Sequence, residues 1–218
     1  MSHPATPIVS HPKPSLIGRQ LLGLAALLLV DHLAMIAAPG LYPAALAAEV
    51  RAVASDPAVV RAMDVVQDIC GSEHHPVDNF FVAGASKRGW TTWDVAAADD
   101  RVIGMAPVVI DLLNIIPSFR HHWTCYGEWA PAIDPYVNLG IMNWIESDEF
   151  LKLLQLVEPY QFLDQLTMPN LLINATCDEF FVTDSWKFYW QDLQGGSYLQ
   201  YVPNVGHGLD GTYLPENL

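Results

Sequence analysis

Basic residues are scarce in this chain of 218: ten Lys and Arg stand against 24 Asp and Glu, a formal charge of −14 at pH 7. That balance repels phosphate backbones and anionic headgroups alike, so it argues against a nucleic-acid partner and against electrostatic docking on a membrane. Cysteine is also rare. Cys70, Cys125 and Cys177 are too few and too scattered for a disulfide framework, and none belongs to a C-x-x-C pair. No uninterrupted apolar run approaches the roughly 20 residues needed to span a bilayer. Internal repeats and low-complexity tracts are missing too. The only histidine clusters are the adjacent pairs His74-His75 and His121-His122, whose rings diverge on either a helix or a strand. Without an H-x-x-x-H or an acidic partner pattern, no metal and no cofactor is expected.

What is present is apolar. With 51% hydrophobic residues the chain is long enough for one sizeable core, so one domain plus a leader is expected. Residues 1–50 form the leader: Lys13 and Arg19 precede the apolar run Leu21 to Val30, and Ala45-Leu46-Ala47 resembles a signal-peptidase site. Asp31 and His32 interrupt that run, which leaves a packed Ala/Leu-rich helix as the alternative to export.

From residue 56 onward the pattern alternates. Ser55-Asp56-Pro57 reads as a cap with proline in the first turn, and Val59, Val60, Met63, Val66 and Ile69 continue at helical spacing to about residue 70. The run 79–84 reads as a strand buried on both faces, 87–98 as a helix, and 101–110 as a second strand ending at Asp111. A third strand at 170–176, a helix at 184–193 and a fourth strand at 197–202 complete an α/β pattern of the βαβ kind, with a mainly parallel sheet of about four strands. Residues 111–166, rich in Trp123, Tyr126, Trp129, Tyr136 and Trp144, are too long for a simple connection and are expected to form a cap.

Three residues fall at the ends of predicted strands in the order Ser, Asp, His. Ser86, in Gly84-Ala85-Ser86-Lys87-Arg88-Gly89, stands where a strand turns into a helix, an elbow that lifts its hydroxyl above the sheet edge. The backbone N–H of Lys87, at the start of that helix, could receive the oxyanion of an acyl-transfer intermediate. The alternative for Ser86 is a simple helix N-cap. Asp178 follows the third strand and suits the acid that orients an imidazole, with Glu179 as its rival. His207 lies in a loop after the fourth strand, where Gly206 and Gly208 favour a tight turn. Within the cap, His122, Glu128 and Trp129 are candidates for binding a ligand in an aromatic-lined pocket.

The segments GASKRGWTTW, VIDLLN, LTMPNLLINAT and VPNVGHGL resemble the PhoPQ-activated pathogenicity-related protein family over residues 57 to 211. That resemblance implies an α/β-hydrolase fold and a nucleophile, acid and base at Ser86, Asp178 and His207. It supplies no substrate, and the family takes in exported bacterial proteins and an autocrine proliferation repressor of a social amoeba. Cys177 departs from the glycine that precedes the acid in that family, which predicts a shifted acid turn. The G-x-S-x-x-G spacing is also similar to glucuronoyl esterases, where a basic residue follows the nucleophile. Lys87 and Arg88 are therefore candidates to hold an acidic group of a carbohydrate ester.

A complete sheet of this type carries about four strands before the nucleophile strand, and the loop after its third strand supplies half of the oxyanion hole. Little more than one helix and the leader precede residue 79, so the expectation is the C-terminal half of a hydrolase, with the Ser86 strand at an edge. Residues 16–50, with the Pro39-Gly40 turn, are candidates to cover that edge. Three readings remain: a serine ester or amide hydrolase, a secreted non-catalytic signalling or binding protein on the same scaffold, and an inactive truncated product.

Overall fold

The computed structural model describes residues 57–212. The leader, its export signal and the Pro39-Gly40 turn lie outside the described residues.

Helix α1 (Pro57–Ser72) leads into strand β1 (Phe80–Ala85), helix α2 (Lys87–Ala98) and strand β2 (Val102–Val108). The long insertion follows with helices α3 (Ile115–Tyr126), α4 (Asp134–Asn138) and α5 (Asp148–Val157), separated by 3-10 turns. Strand β3 (Asn170–Ala175), two 3-10 turns (Ser185–Phe188 and Trp190–Asp192) and strand β4 (Ser197–Val202) complete the order. The four strands form one sheet in the order β1-β2-β3-β4, with every adjacent pair parallel. The α/β fold expected from the alternating pattern is therefore present.

A sheet that grows in one direction sends each right-handed crossover over the same face. Met63 of α1 and Trp93 and Val95 of α2 share a buried cluster with Val102, Met105 and Leu172. Phe80 and Val82 of β1 pack against the same cluster. On the other face Phe81, Ile103 and Tyr198 are 64%, 56% and 67% exposed. Strand β1 thus alternates between half-buried and exposed positions, which corrects the expectation that it is buried on both faces.

Two further differences have local causes. Residues 184–193 form 3-10 turns instead of one helix, because Tyr189 takes an extended φ of −147° between them. That bend drives the Tyr189 side chain into the core, where it is 1% exposed. The insertion is held by a small cluster of Ile115, Phe150 and Leu154, onto which Phe119, Ile141, Ile145 and Trp90 of α2 pack. Helix α5 begins at Ser147, whose side chain accepts the Phe150 N–H at 3.2 Å. Glu158, 2% exposed, ties the end of α5 to the start of α3 by accepting the Ile115 N–H, and its burial raises the carboxyl above the usual range.

Because all strands run the same way, their C-terminal ends share one edge, where ligands of open α/β sheets bind. Ser86, Asp111, Asp178 and His207 all follow those ends.

Candidate active site

Ser86 links β1 to α2 in a strained conformation, φ 56° and ψ −121°, which a non-glycine residue adopts only when its surroundings enforce it. The enforcement is visible. The Ser86 N–H donates to the Val108 carbonyl of β2 at 2.8 Å, and the Trp90 N–H donates back to the Ser86 carbonyl at 3.0 Å. A Cβ on Gly84 would lie 2.5 Å from the Arg88 carbonyl oxygen, and one on Gly89 would lie 2.7 Å from Ile110 Cγ2. Both glycines therefore serve close packing of strand and helix. The Ser86 side chain makes no capping hydrogen bond to α2, which removes the simple N-cap alternative.

The hydroxyl faces an imidazole instead. Ser86 Oγ lies 2.8 Å from His207 Nε2, and His207 Nδ1 lies 2.8 Å from Asp178 Oδ2. An ionised carboxylate only accepts, so Nδ1 carries the proton and Nε2 is free to accept the serine O–H. Asp178 is 7% exposed, and its other oxygen accepts the N–H groups of Phe180 at 2.8 Å and Phe181 at 3.2 Å. Those two bonds fix the carboxylate and leave Oδ2 for the ring. The Phe180 and Phe181 rings pack on the imidazole, with centroids 4.4 Å and 5.8 Å away.

At the acid turn the Cys177 N–H donates to the Val205 carbonyl at 3.0 Å, and Asp178 reaches the ring directly. The histidine loop differs from expectation in its hinge residues. Its left-handed positions are Asn204 (φ 59°) and Leu209 (φ 55°), not Gly206 or Gly208. Gly206 matters for closeness, because a Cβ there would lie 3.1 Å from Glu179 Oε2. That carboxylate accepts the His207 backbone N–H at 3.0 Å. Glu179 is thus a clamp on the base and not its partner, and the His207 N–H holds its carboxyl below the usual range.

Lys87 opens α2, and the first N–H groups of a helix have no intrahelical acceptor. The Lys87 and Arg88 side chains are exposed. The cap candidates are placed less directly. His122 is 3% exposed, and its Nε2 accepts the Ala130 N–H at 3.0 Å. Burial, with neighbouring His121, lowers its basicity. Trp129 packs against His122, Phe119 and Trp123, with ring centroids 5.6, 6.0 and 5.1 Å away. Both residues thus brace the turn after α3, and Glu128 is exposed on that turn. Among the described residues, no group of three or more His, Cys, Asp or Glu is placed to hold a metal ion.

Sequence reasoning passed over His121, which pairs with Asp184 at 2.5 Å while Lys187 reaches the same carboxylate at 2.6 Å. It also passed over Asp111, which is 2% exposed and bonded to two tyrosines. Its position directly after an apolar strand was the available signal.

Comparison with known proteins agrees with this architecture. An acetyl xylan esterase from Paenibacillus sp. R4 superposes with a TM-score of 0.53 at 18% identity, over 72% of this chain and 47% of the esterase, a likeness of fold. Autocrine proliferation repressor protein A of Dictyostelium discoideum is 40% identical over 159 residues, 72% of this chain. The chain spans about a third (32%) of that relative's length. A family model described as PhoPQ-activated pathogenicity-related protein matches residues 45–217, and the chain belongs to that family, on an α/β-hydrolase fold.

Proposed function

We propose that these residues form the acyl-transfer centre of a serine hydrolase acting on esters or amides. The observation that carries this reading is the unbroken chain Ser86–His207–Asp178, with both links at 2.8 Å. Ser86 Oγ attacks the acyl carbon while His207 Nε2 takes its proton, and Asp178 stabilises the imidazolium that forms. The oxyanion rests at the Lys87 N–H. His207 then protonates the leaving group, and water releases the acyl group by the same steps in reverse roles. A donor of this kind contributes roughly a hundred- to a thousandfold in rate.

The exposed side chains of Lys87 and Arg88, beside the nucleophile, suit a substrate with an anionic group, such as an acidic carbohydrate ester. Replacing both with alanine is expected to raise KM for an anionic ester while leaving a neutral ester unaffected; equal loss on both would remove that assignment. Steady-state turnover of a small activated ester is the first test of the centre itself. Ser86→Ala and His207→Asn should each lose nearly all of it, and turnover surviving either substitution would overturn the reading.

A second reading rests on kinship to a protein named as a proliferation repressor. Under it the chain is a secreted signalling or binding protein that keeps the hydrolase scaffold. Growth inhibition surviving Ser86→Ala would favour this alternative. Export, proposed from the leader at residues 1–50, predicts a shortened N-terminus on the natural protein, which N-terminal sequencing would read.

A further inference from the structure

One buried carboxyl near Asp178 is not used by the acyl-transfer steps. Asp111 sits just past the end of β2, with Oδ1 accepting the Tyr189 O–H at 2.6 Å and Oδ2 accepting the Tyr201 O–H. Tyr201 belongs to β4, the strand that feeds the His207 loop, and Tyr189 lies between the two 3-10 turns that follow Asp178. One carboxylate therefore ties the end of β2 to both segments that carry the acid and the base. We propose that Asp111 is a positioning residue of this site: ionised, it grips the two phenols and stands as a second negative charge behind Asp178, and gaining a proton loosens that grip.

The grip is charge-assisted, and such bonds are about twice as strong as neutral ones. A protonated carboxyl donates from one of its oxygens, so one of the two phenols then stops donating to Asp111 and accepts from it instead, and the charge assistance is lost. Four groups act on Asp111: Tyr201 from β4, Tyr189 from between the two 3-10 turns, and Asp178 and Asp184 from the segment after β3. Two are phenols whose O–H bonds favour the anion, and two are carboxylates that oppose it. Burial dominates and pushes the carboxyl up to about 7, so the clamp exchanges its proton in the working range of an imidazole base. The network thus makes the geometry at His207 depend on a second proton held at Asp111.

The inference rests on the triad reading for its consequence in catalysis, but the coupling can be observed without turnover. NMR titration of the His207 ring, assigned by its loss in His207→Asn, is expected to show a second inflection near neutral pH in the wild type. Asp111→Asn should abolish it. Tyr201→Phe removes a bond that stabilises the anion and should move it to higher pH by about one to two units. Identical His207 titration in all three proteins would overturn the proposal, whatever the enzyme does. If instead the inflection behaves as expected and no serine-directed probe reacts at any pH, the hydrolase reading fails and the coupling stands. A purely structural Asp111 would change stability in both variants without moving the inflection in Tyr201→Phe.

Discussion

Replacing Asp111 by asparagine should make the protein's stability less dependent on pH, and the size of the effect can be worked from the buried carboxyl. In the unfolded chain this group ionises near the ordinary aspartate value of 3.8, whereas burial in the fold pushes it up to about 7. Between those values the folded state holds a proton that the unfolded state has released, so stability falls as pH rises. Each unit is worth about 1.4 kcal/mol, giving about 4 kcal/mol lost in full above neutrality, of which about 3 kcal/mol falls between about pH 5 and pH 8. Asparagine has no such proton. Burial also raises Asp94 and Glu158, while Asp99 and Glu179 are lowered by their hydrogen-bond partners. These terms are shared by both proteins and cancel in the difference. Urea unfolding of wild type and Asp111→Asn across that range should give a stability difference that shifts by about 3 kcal/mol in favour of the variant as pH rises. A constant difference would refute the reasoning, since it would mean that Asp111 is ionised throughout.

Other perturbations test the elbow, the clamp and the cap. Gly84→Ala places a methyl against the Arg88 carbonyl, which cannot yield without moving α2, so it should cost about 1–3 kcal/mol by thermal unfolding and suppress ester turnover. Glu179→Ala frees the His207 backbone N–H and should lower kcat more than it changes KM, with Glu179→Gln recovering part of the loss because its amide oxygen still accepts. Ser147→Ala removes the cap of α5 and should cost about 1 kcal/mol in chemical denaturation without altering the triad.

Much of the sheet was legible from the chain. The apolar run at 170–176 and the alternating 197–202 appear as β3 and β4, and residues 87–98 form α2, because local pattern and tertiary burial agree there. Ser86, Asp178 and His207 were legible from order alone, since a parallel sheet brings all its strand ends to one edge. The failures occurred where a distant partner decides. Residues 184–193 look helical in isolation, yet Tyr189 leaves the helical conformation and its hydroxyl reaches Asp111, 78 positions away. Asp111 was read only as the end of the second strand, because both its partners are remote in sequence. Glu179 was weighed only as an acid, since nothing local reveals that it accepts the His207 N–H. His122 and Trp129, read as ligand-facing, brace the turn after α3, because aromatic residues beside a short turn satisfy one another first.

The proposed acyl transfer requires Ser86 to be a nucleophile activated by His207 and Asp178. Treating the folded protein with a fluorophosphonate and mapping the adduct by peptide mass spectrometry tests it most directly. The adduct should appear on Ser86, vanish in Ser86→Ala and fall sharply in His207→Asn. An unlabelled wild type, or an adduct on another residue that persists in Ser86→Ala, would contradict it.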